Sequence, residues 1–565
     1  MDKIWLKSYP SGVPAEIDPR EYKSLVEIFQ RSFEKYRDEP AYINMGTTLS
    51  YGDVDRLSAR FGAWLQHKAG LKKGDRIALM MPNLLQYPVA IAGALRVGLT
   101  IVNTNPLYTA RELEHQLRDS GAAAILILEN FAHVLQEVIG RTDVKHVIVT
   151  GAGDLLGAPK SLLVNFVVRH VRKQVPKFTL PGAVRINEAL RAASDLKLVP
   201  VDVGHEDIAF LQYTGGTTGI SKGAILTHRN MVANVLQSHA WLSTGTPKEK
   251  NVVITALPLY HIFSLTANCL VFTQSGSKNV LITNPRDFPA FVAELKKYPF
   301  TYISGVNTLF NALLHTPGFD TVDFSALRVT LGGGMAVQRA VAERWKQVTG
   351  KVLTQAWGLT ETSPAACINP IELQDFNGSI GLPISSTEVS IRDDDGRALA
   401  INEVGEICVR GPQVMRGYWN RPDETAKVML PDGWLRTGDI GRMDEKGFVY
   451  IEDRKKDMIL VSGFNVYPNE VESVAVTHPG VLEAAAVAQP DERAGEVVAL
   501  FVVRRDPKLT AEELVEYCRK SLTGYKVPRH IYFRGELPKT NVGKIMRRAL
   551  RDELVESSKE KVSAL

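Results

Sequence analysis

The feature that most restricts the fold is an alternation of apolar strand-length and helix-length segments. Arg76–Met81 reads as a strand, Leu85–Arg96 as a helix, and Ile101–Asn103 and Ala122–Leu128 as further strands. Units of this kind lay helices on the faces of a mostly parallel sheet. At 565 residues the chain is too long for one compact core. The expected fold is α/β: a large N-terminal region of several subdomains with mostly parallel sheets, then a small α+β C-terminal domain. In that domain Asn469–Val476, Glu512–Ser521 and Ile545–Leu554 read as helices, and Leu482–Val487, Val497–Val503 and Ile531–Phe533 as strands. The charged run Asp453-Arg454-Lys455-Lys456-Asp457 precedes it, which divides the chain into domains 1–453 and 454–565.

The charge balance, 67 basic against 62 acidic residues, argues against a nucleic-acid partner. Cys269, Cys367, Cys408 and Cys518 are scattered without CxxC spacing, so neither a disulfide framework nor a cysteine zinc site is expected. That pattern suits a reducing, cytoplasmic setting. Met1–Pro14 lacks an apolar core of signal length, and no run of 18 apolar residues occurs. Membrane contact is therefore expected to be peripheral. The segment 155–177 is the candidate, because Leu162-Leu163-Val164-Asn165-Phe166-Val167-Val168 is followed by Arg169-His170-Val171-Arg172-Lys173. A helix packed on its domain is the other reading of that segment.

Ile208–Tyr213 reads as a buried strand, and Asn230–Gln237 turns helical. Between them lies Thr214-Gly215-Gly216-Thr217-Thr218-Gly219-Ile220-Ser221-Lys222-Gly223. Glycines let backbone N–H groups converge, threonines add hydroxyl donors and Lys222 adds charge, so the guest expected is a polyphosphate. The P-loop pattern fails, because Lys222 is followed by Gly223 rather than Ser or Thr. Gly219–Gly223 also matches the nucleophile-elbow pattern G-x-S-x-G in an apparent strand-to-helix setting, which keeps a serine hydrolase using Ser221 open. The run Gly151-Ala152-Gly153-Asp154-Leu155-Leu156-Gly157 imitates a dinucleotide fingerprint with its third glycine one residue late, and reads as a turn.

The loop Thr214–Gly223 resembles the phosphate loop of the adenylate-forming superfamily, which includes acyl-CoA synthetases. Further resemblances follow in order: Pro258–Phe263 to its apolar substrate segment, Trp357-Gly358-Leu359-Thr360-Glu361 to its aromatic-Gly-x-Thr-Glu motif, and Gly433–Asp439 to its ribose motif. Asp453–Asp457 resembles its hinge and Pro538–Lys544 its C-terminal catalytic loop. Asp432–Gly441 with Ile451–Lys456, Asn105–Thr109 with Arg111–His115, and Gly215 in place of the usual serine are similar to bacterial long-chain fatty-acyl-CoA synthetases. Ser221 stands where proline is usual and Asp453 where glycine is usual, and neither change removes a charged catalytic group.

The resemblance implies a two-step ligase acting on long-chain fatty acid, ATP and coenzyme A, placed in fatty acid metabolism and β-oxidation. Thr214, Gly215, Gly216, Thr217, Thr218, Gly219 and Lys222 would hold phosphates, and Glu361 with Thr217 would hold Mg²⁺. Gly332, Gly333 and Gly334 would let adenine lie against backbone and Trp357 would stack on it, Gly358 and Thr360 would also bind the nucleotide, Asp439 would take the ribose, and Arg454 would approach the same ribose or the phosphate. Lys544 would bridge carboxylate and α-phosphate, Lys456 would be the hinge, and Gly463 would line a thiol tunnel. Tyr260, His261, Phe263, Val306 and Met335 would line the acyl channel. A homodimer is compatible with the resemblance. Besides the hydrolase, two alternatives remain at this level: an enzyme that passes its acyl group to a carrier protein, and a nucleotide-binding protein without turnover.

Overall fold

The computed structural model describes residues 3–214, 221–245, 250–491, 493–540 and 542–563. The loop residues Gly215, Gly216, Thr217, Thr218 and Gly219 lie outside the described residues. Two sheets with parallel cores carry the N-terminal region. The first runs, in spatial order, Val184–Arg185, His146–Thr150, Ala124–Leu128, Arg76–Met80, Thr100–Asn103, Ile208–Thr214 and Lys222–Thr227. Every neighbouring pair is parallel except the last. Its central strands Ala124–Leu128 and Thr100–Asn103 are buried along their whole length, as near-continuous apolar runs require when helices cover both faces. The strands expected in this sheet, and the helix expected at Leu85–Arg96, hold to within two residues, whereas the helix expected at Asn230–Gln237 runs from His228 to Leu242.

The second sheet has nine strands, with Val252–Thr255, Tyr302–Gly305, Val329–Gly332 and Leu353–Gly358 among them. Along Val252–Thr255, Tyr302–Gly305, Val329–Gly332 and Leu353–Gly358, successive neighbours are parallel, so their C-terminal ends open on one edge. Loops at such an edge are the usual place for a ligand site in an open α/β sheet. Asn83, which follows a strand of the first sheet, ties the two sheets together. Its Nδ2 donates to the carbonyls of Thr255 and Leu257, each at 3.0 Å, and its Oδ1 accepts from Leu259 N at 2.8 Å. This fixes the chain just before Tyr260–Phe263.

A four-stranded antiparallel sheet follows, Glu388–Arg392, Gly405–Arg410, Leu435–Met443 and Val449–Arg454. The last sheet contains Phe464–Val466, Ile459–Val461, Gly495–Arg504 and Val481–Asp491, with His530–Arg534 parallel to Gly495–Arg504. Alternation decides its two faces. Ala484, Ala486, Val498 and Leu500 join Val471 and Leu514 in one buried cluster, while Ala485, Val487, Ala499 and Phe501 join Leu550 and Leu554 in another. The small sheet is thus sandwiched between Pro468–Ala475 and Ala511–Arg519 on one side and Arg547–Ser563 on the other.

The setting of Ser221 differs from the sequence expectation. The residues after the phosphate loop form a strand, Lys222–Thr227, antiparallel to Ile208–Thr214 with Thr214 opposite Lys222. The helix begins only at His228. A nucleophile elbow needs strand, sharp turn and helix in direct succession; here a hairpin intervenes. His115 donates from Nε2 to the carbonyl oxygen of Ser221, 2.9 Å away. The hydrolase alternative therefore loses its structural context.

Replacing Asn83 by Ala should lower stability by roughly 3 kcal/mol, because three buried backbone groups lose their partner. The check is a lower unfolding midpoint in calorimetry; a midpoint equal to that of the parent would refute the tie.

Candidate active site

The loops at the C-terminal edge of the second sheet bring together residues far apart in sequence. Val329–Gly332 leads into Gly333 and Gly334, Tyr302–Gly305 into Val306, and Leu353–Gly358 into Glu361. Gly334 has φ +76°, which glycine adopts without strain. A Cβ there would stand 3.3 Å from Lys544 Cε and 3.6 Å from Val306 Cγ1. A Cβ on Gly333 would stand 3.0 Å from the Ala356 carbonyl and 3.2 Å from the Phe263 ring. The lysine delivered by the loop before the last helix, Arg547–Ser563, therefore lies against the glycine strip, beside Val306. Gly543 is held to the same wall by Thr308, whose Oγ1 donates to its carbonyl at 2.9 Å.

Charge is concentrated around that lysine. Asp439 is buried and uses both carboxylate oxygens: Arg454 Nε lies 2.6 Å from Oδ1, and Trp357 Nε1 donates to Oδ2 at 2.9 Å. Glu361 accepts from the Tyr418 hydroxyl at 2.6 Å. Its short helical turn, Thr360–Thr362, is positioned by Gly358, where a Cβ would fall 1.8 Å from the Pro364 carbonyl oxygen. Lys222 is ion-paired with Glu424 and lies 5.0 Å from the centre of the Tyr418 ring. The hydrogen bond from Lys222 holds the Glu424 carboxyl at about 2.

The Lys544 ammonium is enclosed by protein although the residue keeps some exposed surface. Burial lowers it to about 8; Arg454 pushes in the same direction, and Asp439 and Glu361 oppose. Burial, and then the charge of Lys544, lower the His261 imidazole to about 3, so it is neutral. Its Nδ1 accepts from Phe263 N at 3.3 Å. Tyr260 is held through its carbonyl by Gln212 Nε2 at 2.7 Å, and Met335 packs on the edge of the core.

Thus Gly333, Gly334, Val306, His261, Phe263, Glu361, Trp357, Asp439, Arg454 and Lys544 converge. Gly463 does not join them through any described contact; it forms, with Ser462, the turn between Ile459–Val461 and Phe464–Val466, with φ +85° and +50°. Lys456 lies in the turn after Val449–Arg454, its carbonyl accepting from Arg551 at 3.0 Å. Sequence reasoning passed over Tyr418, Glu424 and Thr308. Each acts through a partner 57 to 235 positions away, and no local pattern marks such pairs.

A family model described as AMP-binding enzyme matches residues 29–419, and its C-terminal companion, AMP-binding enzyme C-terminal domain, matches residues 470–544. The chain belongs to the AMP-binding enzyme family. Family relatives include a long-chain-fatty-acid–CoA ligase of Yersinia pestis, 57% identical over 555 residues, covering 98% of this chain and 99% of that protein. The ligase of the same name from Bacillus subtilis is 38% identical, covering 98% of this chain and 99% of that protein. Among solved structures of the family, a benzoate CoA ligase from Burkholderia xenovorans LB400 superposes with a TM-score of 0.80 at 26% identity, over 94% of this chain and 100% of that one. An anthranilate CoA ligase in complex with anthranoyl-AMP shares the fold with a TM-score of 0.85 at 23% identity, over 96% of this chain and 100% of that one.

If the charged ammonium is the working form, adenylate formation by the free enzyme should fall as pH rises through about 8. The same residue makes the fold more stable over that range, because between about 8 and the ordinary 10.5 the unfolded chain binds the extra proton. Pyrophosphate exchange and thermal unfolding, each followed from pH 7 to 10, separate the two; exchange that is flat through pH 9 would contradict the assignment.

Proposed function

We propose that this chain is an ATP-dependent long-chain fatty acid–CoA ligase. Fatty acid and ATP give acyl-AMP and pyrophosphate, then acyl-AMP and CoA give acyl-CoA and AMP. The reading is carried by one observation: the Lys544 ammonium, delivered from the C-terminal unit, sits against Gly334 amid Asp439, Glu361 and Arg454. Full-length relatives named long-chain-fatty-acid–CoA ligases support the substrate class.

The first step joins two anions, the carboxylate and the α-phosphate. Lys544 bridging them would offset their repulsion and the charge of the transition state. Thr214–Gly219 and Lys222 would hold the β and γ phosphates, with Lys222 exchanging Glu424 for phosphate. Gly332–Gly334 would let adenine lie against backbone beside Trp357, and Asp439 and Arg454 would receive the ribose. Among the described residues no cluster of three His, Cys, Asp or Glu side chains forms a metal site. One carboxylate suits Mg²⁺ when the nucleotide supplies further oxygens, and Glu361 fits that role. Bound there, Mg²⁺ would neutralise phosphate charge. Tyr260, His261, Phe263, Val306 and Met335 would line the acyl channel, where a neutral His261 is compatible with an apolar chain.

The second step needs the thiol to reach the carbonyl from the side that Lys544 now fills. Rotation of domain 454–565 about Lys456 would withdraw Lys544 and bring the turn at Gly463 to the site. AMP release with CoA and saturated acids of graded length tests the whole reading. Specificity should rise about fourfold per added methylene, from about 0.8 kcal/mol each, until the channel is full. Lys544→Ala should lower adenylate formation by about 10²–10³ while sparing thioester formation from supplied acyl-adenylate. Equal loss of both steps would argue against this division of labour.

Segment 155–177 supports peripheral membrane contact. Two of its polar residues turn inward: buried Asn165 of helix Lys160–Phe166 accepts from Gly153 N at 2.8 Å, and Arg169 of the following turn Val167–Val171 is bonded to buried Glu129 at 2.8 and 2.9 Å. Leu162 and Leu163 are 73% and 63% exposed, and Phe166 and Val171 are exposed beside them. No helix among the described residues is long and apolar enough to cross a membrane. Leu162→Ser with Leu163→Ser and Phe166→Ser should reduce co-sedimentation with anionic vesicles severalfold at unchanged activity in detergent. Equal sedimentation would remove the idea.

A further inference from the structure

The charged run before the C-terminal unit is more than a solvated loop. Asp453, at the end of strand Val449–Arg454, is 1% exposed. Its Oδ2 accepts from the backbone N of Asn469 at 2.8 Å, and Arg547 Nη1 lies 3.4 Å from its Oδ1. The Glu452 carbonyl accepts from Asn469 Nδ2 at 3.3 Å. Asp453 and Glu452 precede Lys456; Asn469 and Arg547 follow it. These bonds therefore span the pivot, and rotation about it must break them.

Arg547 also follows directly on the loop that carries Lys544. It opens the helix Arg547–Ser563, three residues after Lys544. Glu472 takes two bonds from it, at 2.9 and 2.7 Å, and Asn469 Oδ1 a third at 2.5 Å. Asp457, just past the pivot, lies 3.7 Å from Arg547 and accepts from Arg551 at 2.9 Å. Burial pushes the Asp453 carboxyl up to about 6, while Arg547 and the backbone N–H groups of Asn469 and Arg454 favour its charged form.

We propose that Asp453, with Asn469 and Arg547, is a latch across the pivot that holds Lys544 in the adenylation pose, and that its release is part of the switch to thioester formation. Asp453 is a positioning residue: it touches no reacting atom and acts through the helix that follows Lys544. The proposal rests on the domain-rotation reading above. A buried carboxylate with a charged partner makes directional bonds that glycine cannot, so the latched pose gains and the rotated pose does not.

The test measures the two half-reactions separately in the full-length chain carrying Asp453→Asn, with Arg547→Lys as a second variant. Adenylate formation is read by pyrophosphate exchange, and the thioester step by acyl-CoA formed from supplied long-chain acyl-adenylate. The ratio of first-step to second-step rate should fall about tenfold in each variant. Spin labels on the exposed positions Glu343→Cys and Lys520→Cys should show a second distance gaining population in parallel. An unchanged ratio and distance distribution in a folded variant would overturn the latch. So would a proportionate fall in both steps, which is what a merely structural role gives. Lys456→Pro separates this from the underlying reading: if that change leaves both half-reactions intact the rotation itself is rejected, whereas a loss confined to the thioester step with Asp453→Asn silent rejects the latch alone.

Discussion

The enclosed ammonium of Lys544 organises the rest of the molecule. Taking a cation out of water is costly unless anions face it. Asp439 and Glu361 do so, and each is itself held: Asp439 by Trp357 and Arg454, Glu361 by Tyr418. Burial and Arg454 weaken the proton's hold, which leaves the group at about 8.

Two structural decisions make the arrangement possible. The parallel strands of the second sheet end on one edge, so their loops meet without long excursions. Small residues then clear the approach: Gly334 leaves room for the Lys544 stem, and Gly358 allows the turn with Glu361 to fold back under Pro364. The C-terminal unit keeps a core of its own, packed on both faces of its sheet, so it has the means to move as a body.

The segment 155–177 shows a different economy. Asn165 and Arg169 are drawn inward by Gly153, Asp154 and Glu129, and Leu162 and Leu163 are left outside. The sequence contained both halves of that pattern but not their orientation, because the composition of a helix does not say which face finds a partner. The buried carboxylate of Glu129, 129 residues into the chain, decides it by capturing Arg169 and Arg185.

By itself the sequence determined the α/β class, the strand and helix positions near residues 76–128 and 468–534, and the ordered motifs that resemble adenylate-forming enzymes. Those follow from periodicity and residue chemistry, which are local. Only the tertiary structure decided that a hairpin strand, not a helix, follows the phosphate loop. It alone brought Tyr418 to Glu361, Glu424 to Lys222 and Arg547 to Asp453. Those pairs join residues 57, 202 and 94 positions apart. Long-range pairing is set by how sheets and helices pack, and no neighbouring residue records it.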